Sequence, residues 1–290
     1  MNGEEAYEAE MESERQTGGE EVRSGVKELD NLLSGSFGGA CGGRVVELSG
    51  ESGHGTGKTA LALHIVLSHL STYELASSIW IDTTGDLSAE RITRTYSSQK
   101  GPAVHSALER FHISLAFDID VAYQVLDGIH AALSTVTADQ PRPRIVVIDT
   151  ITPFLGPQLS AVTSQGHATM VTFMRSLRSL AQAHSLSIIV INTSSSANPY
   201  NPASVFSTTA RKPALGPSFT FLTDATLWMA HPPALTPAST ASDAASTAPE
   251  AATGPSDPGS LIPSESLAWD NELRVVEVFR SRVSVSVFDL

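Results

Sequence analysis

One stretch of the sequence decides the fold, and it reads Val45-Val46-Glu47-Leu48-Ser49-Gly50-Glu51-Ser52-Gly53-His54-Gly55-Thr56-Gly57-Lys58-Thr59. The apolar residues 60–70 follow it directly. Together they predict a short buried strand, a glycine-rich loop and a buried helix, which is the structural context that a phosphate-binding loop requires. We therefore expect a nucleotide site at the start of this helix.

The residue types of the loop suit a triphosphate and its metal. Glycines let successive backbone N–H groups turn towards phosphate oxygens, and a helix that begins near Lys58 adds a partial positive charge at its N-terminus. Lys58 is expected to reach the β- and γ-phosphates, and the Thr59 hydroxyl to bind Mg²⁺. The predicted cofactors are ATP and Mg²⁺, and the predicted nucleotide-binding residues of the loop are Gly53, His54, Gly55, Thr56, Gly57, Lys58 and Thr59.

The loop departs from the strict pattern at one position. The pattern Gly-x4-Gly-Lys-Thr requires glycine at position 52, where this chain has Ser52. The nearest glycines are Gly50 and Gly53, which is consistent with a two-residue insertion in the loop. The alternative interpretation is a flexible turn between strand and helix that binds no ligand.

A second metal residue is predicted at the end of another strand. The four aliphatic residues 145–148 run into Asp149. Such a run is typical of a central parallel strand that is covered on both faces, and ligands bind at the carboxyl edge of such sheets. Asp149 is expected to hold Mg²⁺ through water; alternatively, its carboxylate caps the next turn.

The whole pattern predicts an α/β fold, with a mostly parallel central sheet flanked by helices and a C-terminal antiparallel hairpin. Asp118 is expected to cap a helix that buries Leu126 and Leu133, and the helix at 166–184 to turn Arg175 and Arg178 outward. Other helices are predicted at 26–33, at 58–70 and from residue 88, and strands at 44–48, 78–85, 110–115, 144–149, 186–191, 225–230, 273–280 and 283–288.

Composition sets the domain limits and the compartment. Residues 1–22 are predicted to be a disordered acidic tail and residues 232–263 a disordered insertion rich in Pro, Ala, Ser and Thr, so the core spans 23–231 and is completed by strands within 264–290. The net charge of −13 argues against tight unaided binding to a phosphate backbone. A single cysteine, no apolar run that could cross a bilayer and no secretory signal predict a soluble intracellular protein without a membrane partner. The histidines have no spacing typical of zinc ligands.

Several stretches resemble the RecA-type recombinases, and among them the eukaryotic recombinase paralogues, with most similarity to the D type. The resemblance covers roughly residues 23–231 and the last two strands, and it implies a RecA-like P-loop NTPase core. The stretches that carry it are Ser24-Gly25-Val26, the phosphate-binding loop, Trp80-Ile81-Asp82-Thr83-Thr84-Gly85, Phe117-Asp118-Ile119-Asp120, Val147-Ile148-Asp149-Thr150 and Lys212-Pro213-Ala214-Leu215-Gly216.

The resemblance implies further features of the site and its partners. Arg91 matches the arginine that stacks on adenine in family members, although a plain helix-surface arginine is the alternative. Residues 155–168 and 194–212 match the two loops that face DNA. Other recombinase paralogues in a hetero-oligomer, single-stranded DNA and a nuclear location are expected on the same ground, and the N-terminal helical domain of full-length relatives is expected to be absent.

Two departures from the family bear on catalysis. Thr84 stands where active recombinases carry the glutamate that orients the attacking water, and a threonine cannot act as that base at neutral pH. Thr193 stands where a glutamine usually senses the γ-phosphate. We therefore assign no catalytic residue and expect, at most, weak ATP hydrolysis.

These observations predict an ATP-binding paralogue that acts in homologous-recombination DNA repair, as a subunit of a mediator complex that assists loading of the recombinase on single-stranded DNA. An active DNA-dependent ATPase is one alternative, and a scaffold that binds no nucleotide is another. A small-molecule P-loop kinase is less favoured, because residues 194–212 offer only Arg211 and Lys212 for a lid over the phosphates.

Overall fold

The structure is a computed structural model, and it describes residues 21–33, 37–38, 43–50, 57–90, 92–93, 103–137, 139–159, 164–196, 211–230 and 275–281. The strands are β1 (Arg44–Gly50), β2 (Ala76–Asp82), β3 (Phe111–Leu115), β4 (Arg142–Asp149), β5 (Ser187–Ile191), β6 (Ser194–Ser196), β7 (Arg211–Pro213), β8 (Ala225–Ala230) and β9 (Val275–Ser281). The helices are α1 (Lys27–Leu32), α2 (Lys58–Thr72), α3 (Ala103–Glu109), α4 (Ile119–Thr135), α5 (Thr152–Leu155), α6 (Gln165–His184) and α7 (Pro217–Thr220). A 3-10 turn, Gly156–Gln158, follows α5.

The main sheet has seven strands in the order β3-β2-β4-β5-β1-β8-β9. The first six strands of this order run parallel to one another, and β9 pairs antiparallel with β8. The predicted mostly parallel sheet is therefore confirmed. Of the predicted C-terminal hairpin, β9 is the first arm, and the second arm at 283–288 lies outside the described residues.

Helices cover both faces of the sheet. On one face α2 and α3 pack with Trp80 and Phe111 around a core that includes Leu63 and Leu67. On the other face α4 and α6 pack around Phe173. Residues 145–148 of β4 are all fully buried, as a strand covered on both faces requires, so these four consecutive residues are aliphatic rather than alternating with polar ones.

Local hydrogen bonds and backbone conformation explain where one helix begins and another ends. Asp118 caps α4, as predicted, because its carboxylate accepts a 2.8 Å hydrogen bond from the backbone N–H of Val121. Helix α6 ends at Ser185, whose φ of 53° is left-handed, and the N–H of Leu186 donates back to the carbonyl of Ala181 at 2.9 Å. This turn feeds the chain directly into β5.

One predicted orientation is wrong. Arg178 of α6 does not point into solvent: its guanidinium donates to the Asp224 carboxylate at 2.8 Å and to the carbonyl of Leu222 at 3.1 Å. The other oxygen of Asp224 accepts from the backbone N–H of Val45. Helical periodicity does not reveal a partner from a distant turn, so Arg178 is indistinguishable in the sequence from exposed Arg175.

Three helices and one ribbon were not predicted from the sequence. Helix α3 precedes β3, and short helices α5 and α7 follow β4 and β7. In addition, the ends of the predicted loop 194–212 pair as an antiparallel ribbon, β6 with β7. Neither Ser194-Ser195-Ser196 nor Arg211-Lys212-Pro213 has the alternating apolar pattern by which strands are recognised.

The predicted acidic tail and proline-rich insertion fall almost entirely on residues 1–20 and 231–274, which lie outside the described residues. Val22, the last residue of the predicted tail, is fully buried, and its backbone exchanges hydrogen bonds with residues 37 and 38. Val22 therefore packs against the folded core. Among the described helices, none is long and apolar enough to cross a membrane.

Candidate functional site

The carboxyl ends of four parallel strands meet at one edge of the sheet. In the strand register Asp82 of β2 lies beside Asp149 of β4, Asp149 beside Ile191 of β5, and Ile191 beside Leu48 of β1. The loops that follow these strands therefore leave the sheet side by side. In open α/β sheets this edge is where ligands bind.

The end of the predicted phosphate-binding loop lies at this edge. Gly57 has a left-handed φ of 82° immediately before α2, a conformation that residues with a side chain rarely adopt. The Nζ atom of Lys58 donates to the carbonyl of Gly50, at the end of β1, over 3.5 Å. The Lys58 ammonium therefore lies near the end of β1, after which the predicted loop begins.

Thr59 and Asp149 are brought into direct contact. The Thr59 hydroxyl donates a 3.0 Å hydrogen bond to Oδ2 of Asp149, across 90 residues of sequence. Both side chains are partly exposed at the sheet edge. The two residues predicted to hold magnesium therefore share one point in space, on the side of the sheet where Lys58 lies.

This donor set fits a magnesium ion bound together with a nucleotide. Mg²⁺ commonly binds proteins through one or two carboxylates and hydroxyls and takes its other ligands from phosphate and water. Among the residues that the structure describes, no group of three or more His, Cys, Asp or Glu side chains could form a metal site made of protein alone. When bound, the ion would neutralise charge on the phosphate oxygens.

The loop after β2 is held by the carboxylate of Asp82. Its Oδ1 accepts from the N–H groups of Thr84 (3.0 Å) and Gly85 (2.8 Å), and its Oδ2 from that of Leu87 (3.0 Å). Burial by itself would raise the pKa of Asp82, but these backbone donors outweigh it and lower the pKa below its usual value. The carboxylate therefore stays ionised and fixes the loop.

Thr84, at the position of the expected glutamate, is exposed, and its hydroxyl lies 3.3 Å from Asp82 Oδ1 in its own loop. Its neighbour Thr83 joins this loop to the end of β4: the hydroxyl donates to the carbonyl of Thr150 and accepts from the N–H of Thr150, both at 2.8 Å. This loop is thus attached to the end of β4, and at position 84 it carries a neutral hydroxyl.

Sequence reasoning missed a buried polar cluster behind this edge, formed by Glu47, Ser49, Thr152, Asn192 and Thr226. Glu47 and Asn192 are fully buried and joined by a 2.7 Å hydrogen bond. Burial raises the pKa of Glu47, although hydrogen bonds from Asn192, Ser49 and Thr226 oppose the rise. The signal was present, because a glutamate inside the apolar run Val45-Val46-Glu47-Leu48 has to be paired if the strand is central.

A cleft of about 400 Å³ opens beside this cluster. One wall is Thr152, Gly156, Leu159 and His167, and the other is Ala214, Leu215 and Gly216. The first wall belongs to the predicted loop 155–168 and the residues before it. The second wall follows the ribbon that closes the predicted loop 194–212.

Some of the predicted residues cannot be placed. Gly53, His54, Gly55, Thr56 and Arg91 lie outside the described residues. Residues 160–163 and 197–210 of the two predicted DNA-facing loops also lie outside them. The roles of all these residues stay predictions.

Comparison with known families shows which family the chain belongs to. A sequence profile of the Rad51 family matches residues 19–230, which is more than half of the chain and includes β1–β8. The chain belongs to the Rad51 family. The predicted relationship to the RecA-type recombinases is therefore confirmed. The sheet edge that carries Lys58, Thr59 and Asp149, hereafter the P-loop edge, lies in a Rad51-family domain.

Individual relatives agree with this membership. The chain is 29% identical over 195 residues to the DNA repair protein RAD51 homolog 4 of Bos taurus, which covers 66% of this chain and 56% of that protein. It is 30% identical over 174 residues to the DNA repair and recombination protein RadB of Thermococcus gammatolerans, which covers 59% of this chain and 69% of that protein. The chain thus spans about half the length of the RAD51 homolog 4 proteins, the D-type paralogues.

A solved structure supports the fold. The crystal structure of the RadB recombinase superposes with a TM-score of 0.53 at 22% identity, covering 73% of this chain and 84% of that one. This likeness confirms the RecA-like arrangement of a mostly parallel sheet between helices.

Proposed function

We propose that this chain binds Mg-ATP and acts in homologous-recombination DNA repair in the nucleus, as one subunit of a hetero-oligomer of recombinase paralogues. In that complex it assists loading of the recombinase on single-stranded DNA. The observation that carries the nucleotide role is the 3.0 Å hydrogen bond between Thr59 and Asp149, beside a Lys58 whose ammonium contacts the carbonyl of Gly50 at the end of β1. The names of the relatives, which are DNA repair proteins, support the cellular role.

The same site favours slow hydrolysis over an active ATPase. A positioned general base typically contributes about 10²–10⁴-fold to a rate, and exposed Thr84 supplies none. The carboxylate of Asp82, at the start of that loop, accepts from three backbone N–H groups and is not free to accept a proton from water. A bound nucleotide would then serve to hold a conformation of the subunit rather than to be turned over.

The surface charge favours DNA contact through a complex rather than alone. The full chain has a net charge of −13, and phosphate contacts depend on Lys and Arg. In the described part of the ribbon, Arg211 and Lys212 of β7 are the basic residues. Partner subunits would supply the remaining positive charge.

Equilibrium binding of a fluorescent ATP analogue to the purified full chain tests the nucleotide role. We expect saturable binding that requires Mg²⁺ and is lost in Lys58→Ala. The matched control is Lys27→Ala, which removes an exposed lysine of α1 and should bind as the wild type does. Absence of binding by the wild-type chain would favour the scaffold alternative, and rapid hydrolysis stimulated by DNA would favour the ATPase alternative.

Affinity purification of the chain from its native cells tests the partner role. Recovery of other recombinase paralogues, together with bound nucleotide, is the expected result. Recovery of the chain alone, with no Rad51-family protein, would contradict the hetero-oligomer.

A further inference from the structure

Two histidines from different helices meet at the end of the sheet that lies opposite the P-loop edge. His130 lies on α4, and His184 is the last residue of α6, shortly before β5 begins. The Nε2 atom of His184 is 2.9 Å from the Nδ1 atom of His130, and the ring centroids are 5.0 Å apart. These two residues, hereafter the histidine pair, are 54 positions apart in the sequence, so no local spacing predicted their contact.

The hydrogen bond of the histidine pair places a nitrogen lone pair between the two rings. One ring must donate an N–H and the other must accept it, so at most one of the two facing nitrogens carries a proton. Burial lowers the pKa of His184, and the charges of His130 and Arg142 lower it further. Neutral His184 is therefore favoured at neutral pH, and the neutral imidazole is the form that binds metals.

The separation of the facing nitrogens suits two ligands of one metal ion. Imidazole nitrogens bind a divalent metal such as Zn²⁺ at about 2.0–2.1 Å, and two such ligands at about 90° to each other lie about 2.9 Å apart. That angle belongs to the square-planar or tetragonal geometry of Cu²⁺ and Ni²⁺, whereas tetrahedral zinc requires a wider separation.

Binding needs only a small rearrangement of protons and rings. His130 is exposed, so its ring has room to turn until its lone pair points at the ion rather than at His184. The proton of the hydrogen bond then moves through water to the outer nitrogen of the same ring. The neutral histidine pair therefore binds the ion without net release of a proton.

The charges around the histidine pair indicate a site of moderate affinity. Arg142 of β4 donates to the carbonyl of His184 at 3.3 Å, and its positive charge opposes a second cation nearby. Asp127, exposed one turn before His130 on α4, offsets part of that charge. Among the residues that the structure describes, no third His, Cys, Asp or Glu side chain completes a metal-binding group. Water would therefore fill the remaining positions of the ion.

An ion on the histidine pair would link two helices that share one core. Ile129, beside His130 in the sequence, and Leu180, one turn before His184, both belong to the core on that face of the sheet. A ligand that binds only the folded arrangement stabilises it by mass action. Bound metal should therefore hold α4 against α6.

We propose that His130 and His184 form a binding site for a divalent transition metal of the Cu²⁺ and Ni²⁺ class, which joins α4 to α6. The site is separate from the proposed function, because both histidines lie at the other end of the sheet from Thr59 and Asp149. Its metal differs in class as well, since imidazole suits transition metals and the P-loop edge offers oxygen ligands that suit Mg²⁺.

Titration calorimetry of Ni²⁺ into the full chain, purified without a polyhistidine tag, tests the site. Excess Mg²⁺ is present to compete at the P-loop edge. We expect His130→Gln and His184→Gln each to weaken the tightest Ni²⁺ binding by about 10²-fold, because a single imidazole lacks the second, tethered ligand. The double variant should lose no more than either single one. The matched control is His112→Gln, which removes an exposed histidine of β3 and should bind as the wild type does.

Two further measurements distinguish a bridging ion from an ion bound to one ring. Saturating Ni²⁺ should raise the thermal unfolding temperature of the wild type and of His112→Gln by a few degrees, and leave that of His130→Gln unchanged. Electron paramagnetic resonance of bound Cu²⁺ should show two imidazole nitrogens in the wild type and one in His130→Gln. Because His130 is exposed, this variant keeps the core intact.

Three results would overturn the proposal. Equal Ni²⁺ affinities of the wild type and His130→Gln would leave the histidine pair as a structural hydrogen bond only. Equal losses of affinity in His130→Gln and in the His112→Gln control would show adventitious binding to surface histidines. Tight binding that leaves the unfolding temperature of the wild type unchanged would show that the ion does not join the helices.

Discussion

The hydroxyl of Thr59 lies 3.0 Å from Oδ2 of Asp149, although the two residues are 90 positions apart in the sequence. Thr59 lies in the first turn of α2, which follows β1, and Asp149 is the last residue of β4. In the sheet, β5 lies between β1 and β4. A hydroxyl and a carboxylate within hydrogen-bond distance can both act on one small cation, directly or through water. This contact makes the metal role of Asp149 open to a direct test.

Asp149→Asn should weaken magnesium binding in the presence of nucleotide. A carboxylate that holds a metal through water acts from outside the ligand shell, and loss of such a partner typically costs about 10–100-fold in metal affinity. The measurement is a titration of Mg²⁺ against binding of the fluorescent ATP analogue. Asp127→Asn, on the exposed face of α4, is the matched control and should titrate as the wild type does.

Thr84→Glu should raise the rate of ATP hydrolysis. The change restores a carboxylate to the loop that Asp82 fixes beside the metal-site strand, and a positioned base contributes about 10²-fold or more. Single-turnover hydrolysis by the full chain, assembled with its partners, measures the effect. Thr84→Gln has the same length without the base, so an equal rise in both variants would contradict the explanation.

Arg110→Met should destabilise the fold. This buried guanidinium donates to the carbonyls of Leu70, Tyr73, Ala76 and Ser106 at 2.6–3.1 Å, and it thereby ties the end of α2 to β2 and α3. Removing it takes a buried donor from the carbonyls of Leu70 and Ala76, at about 1–3 kcal/mol for each such group, so we expect a total loss of about 2–6 kcal/mol. Urea unfolding measures the loss, and the exposed Arg175→Met should unfold at the wild-type midpoint.

His69 should make stability fall in mild acid. Burial, with the positive charges of Arg144 and Arg110, lowers its pKa to about 4, and its Nε2 has no hydrogen-bond partner among the described residues. The unfolded chain, with a histidine pKa near 6.5, therefore binds a proton that the folded chain excludes, and stability is lost as the pH falls from about 6.5 to 4. The loss of folding free energy that is due to His69 approaches about 3 kcal/mol at pH 4.

The readout for His69 is the free energy of unfolding at a series of pH values, compared with His69→Phe. The variant should lose stability less steeply over this interval, because it has no proton to take up on unfolding. His112→Phe replaces an exposed histidine of β3 and should keep the wild-type slope. Equal slopes for the wild type and His69→Phe would show that His69 is not responsible.

Local patterns predicted much of the fold. The aliphatic run before Asp149 is a fully buried strand, and Asp118 caps its helix, because burial on both faces and helix capping each require particular residue types at adjacent positions. The start of α2 at Lys58 also depends on one residue type, because the left-handed backbone conformation before it requires a glycine, Gly57. Arg178 was misassigned because its partner, Asp224, is 46 residues away and no periodicity links them.

The sequence by itself determined the parallel strands β1–β5 and β8, the helices that begin at Lys58 and after Asp118, and the lack of a glutamate at Thr84, because these depend on residue type and short spacing. Only the tertiary structure decided which of these residues meet. The contact of Thr59 with Asp149, and the junction of Glu47 and Asn192 across 145 residues, result from strands that are distant in sequence lying close together in one sheet. Hydrogen bonds act over about 3 Å, and the sequence alone does not give that spacing for residues so far apart in the chain.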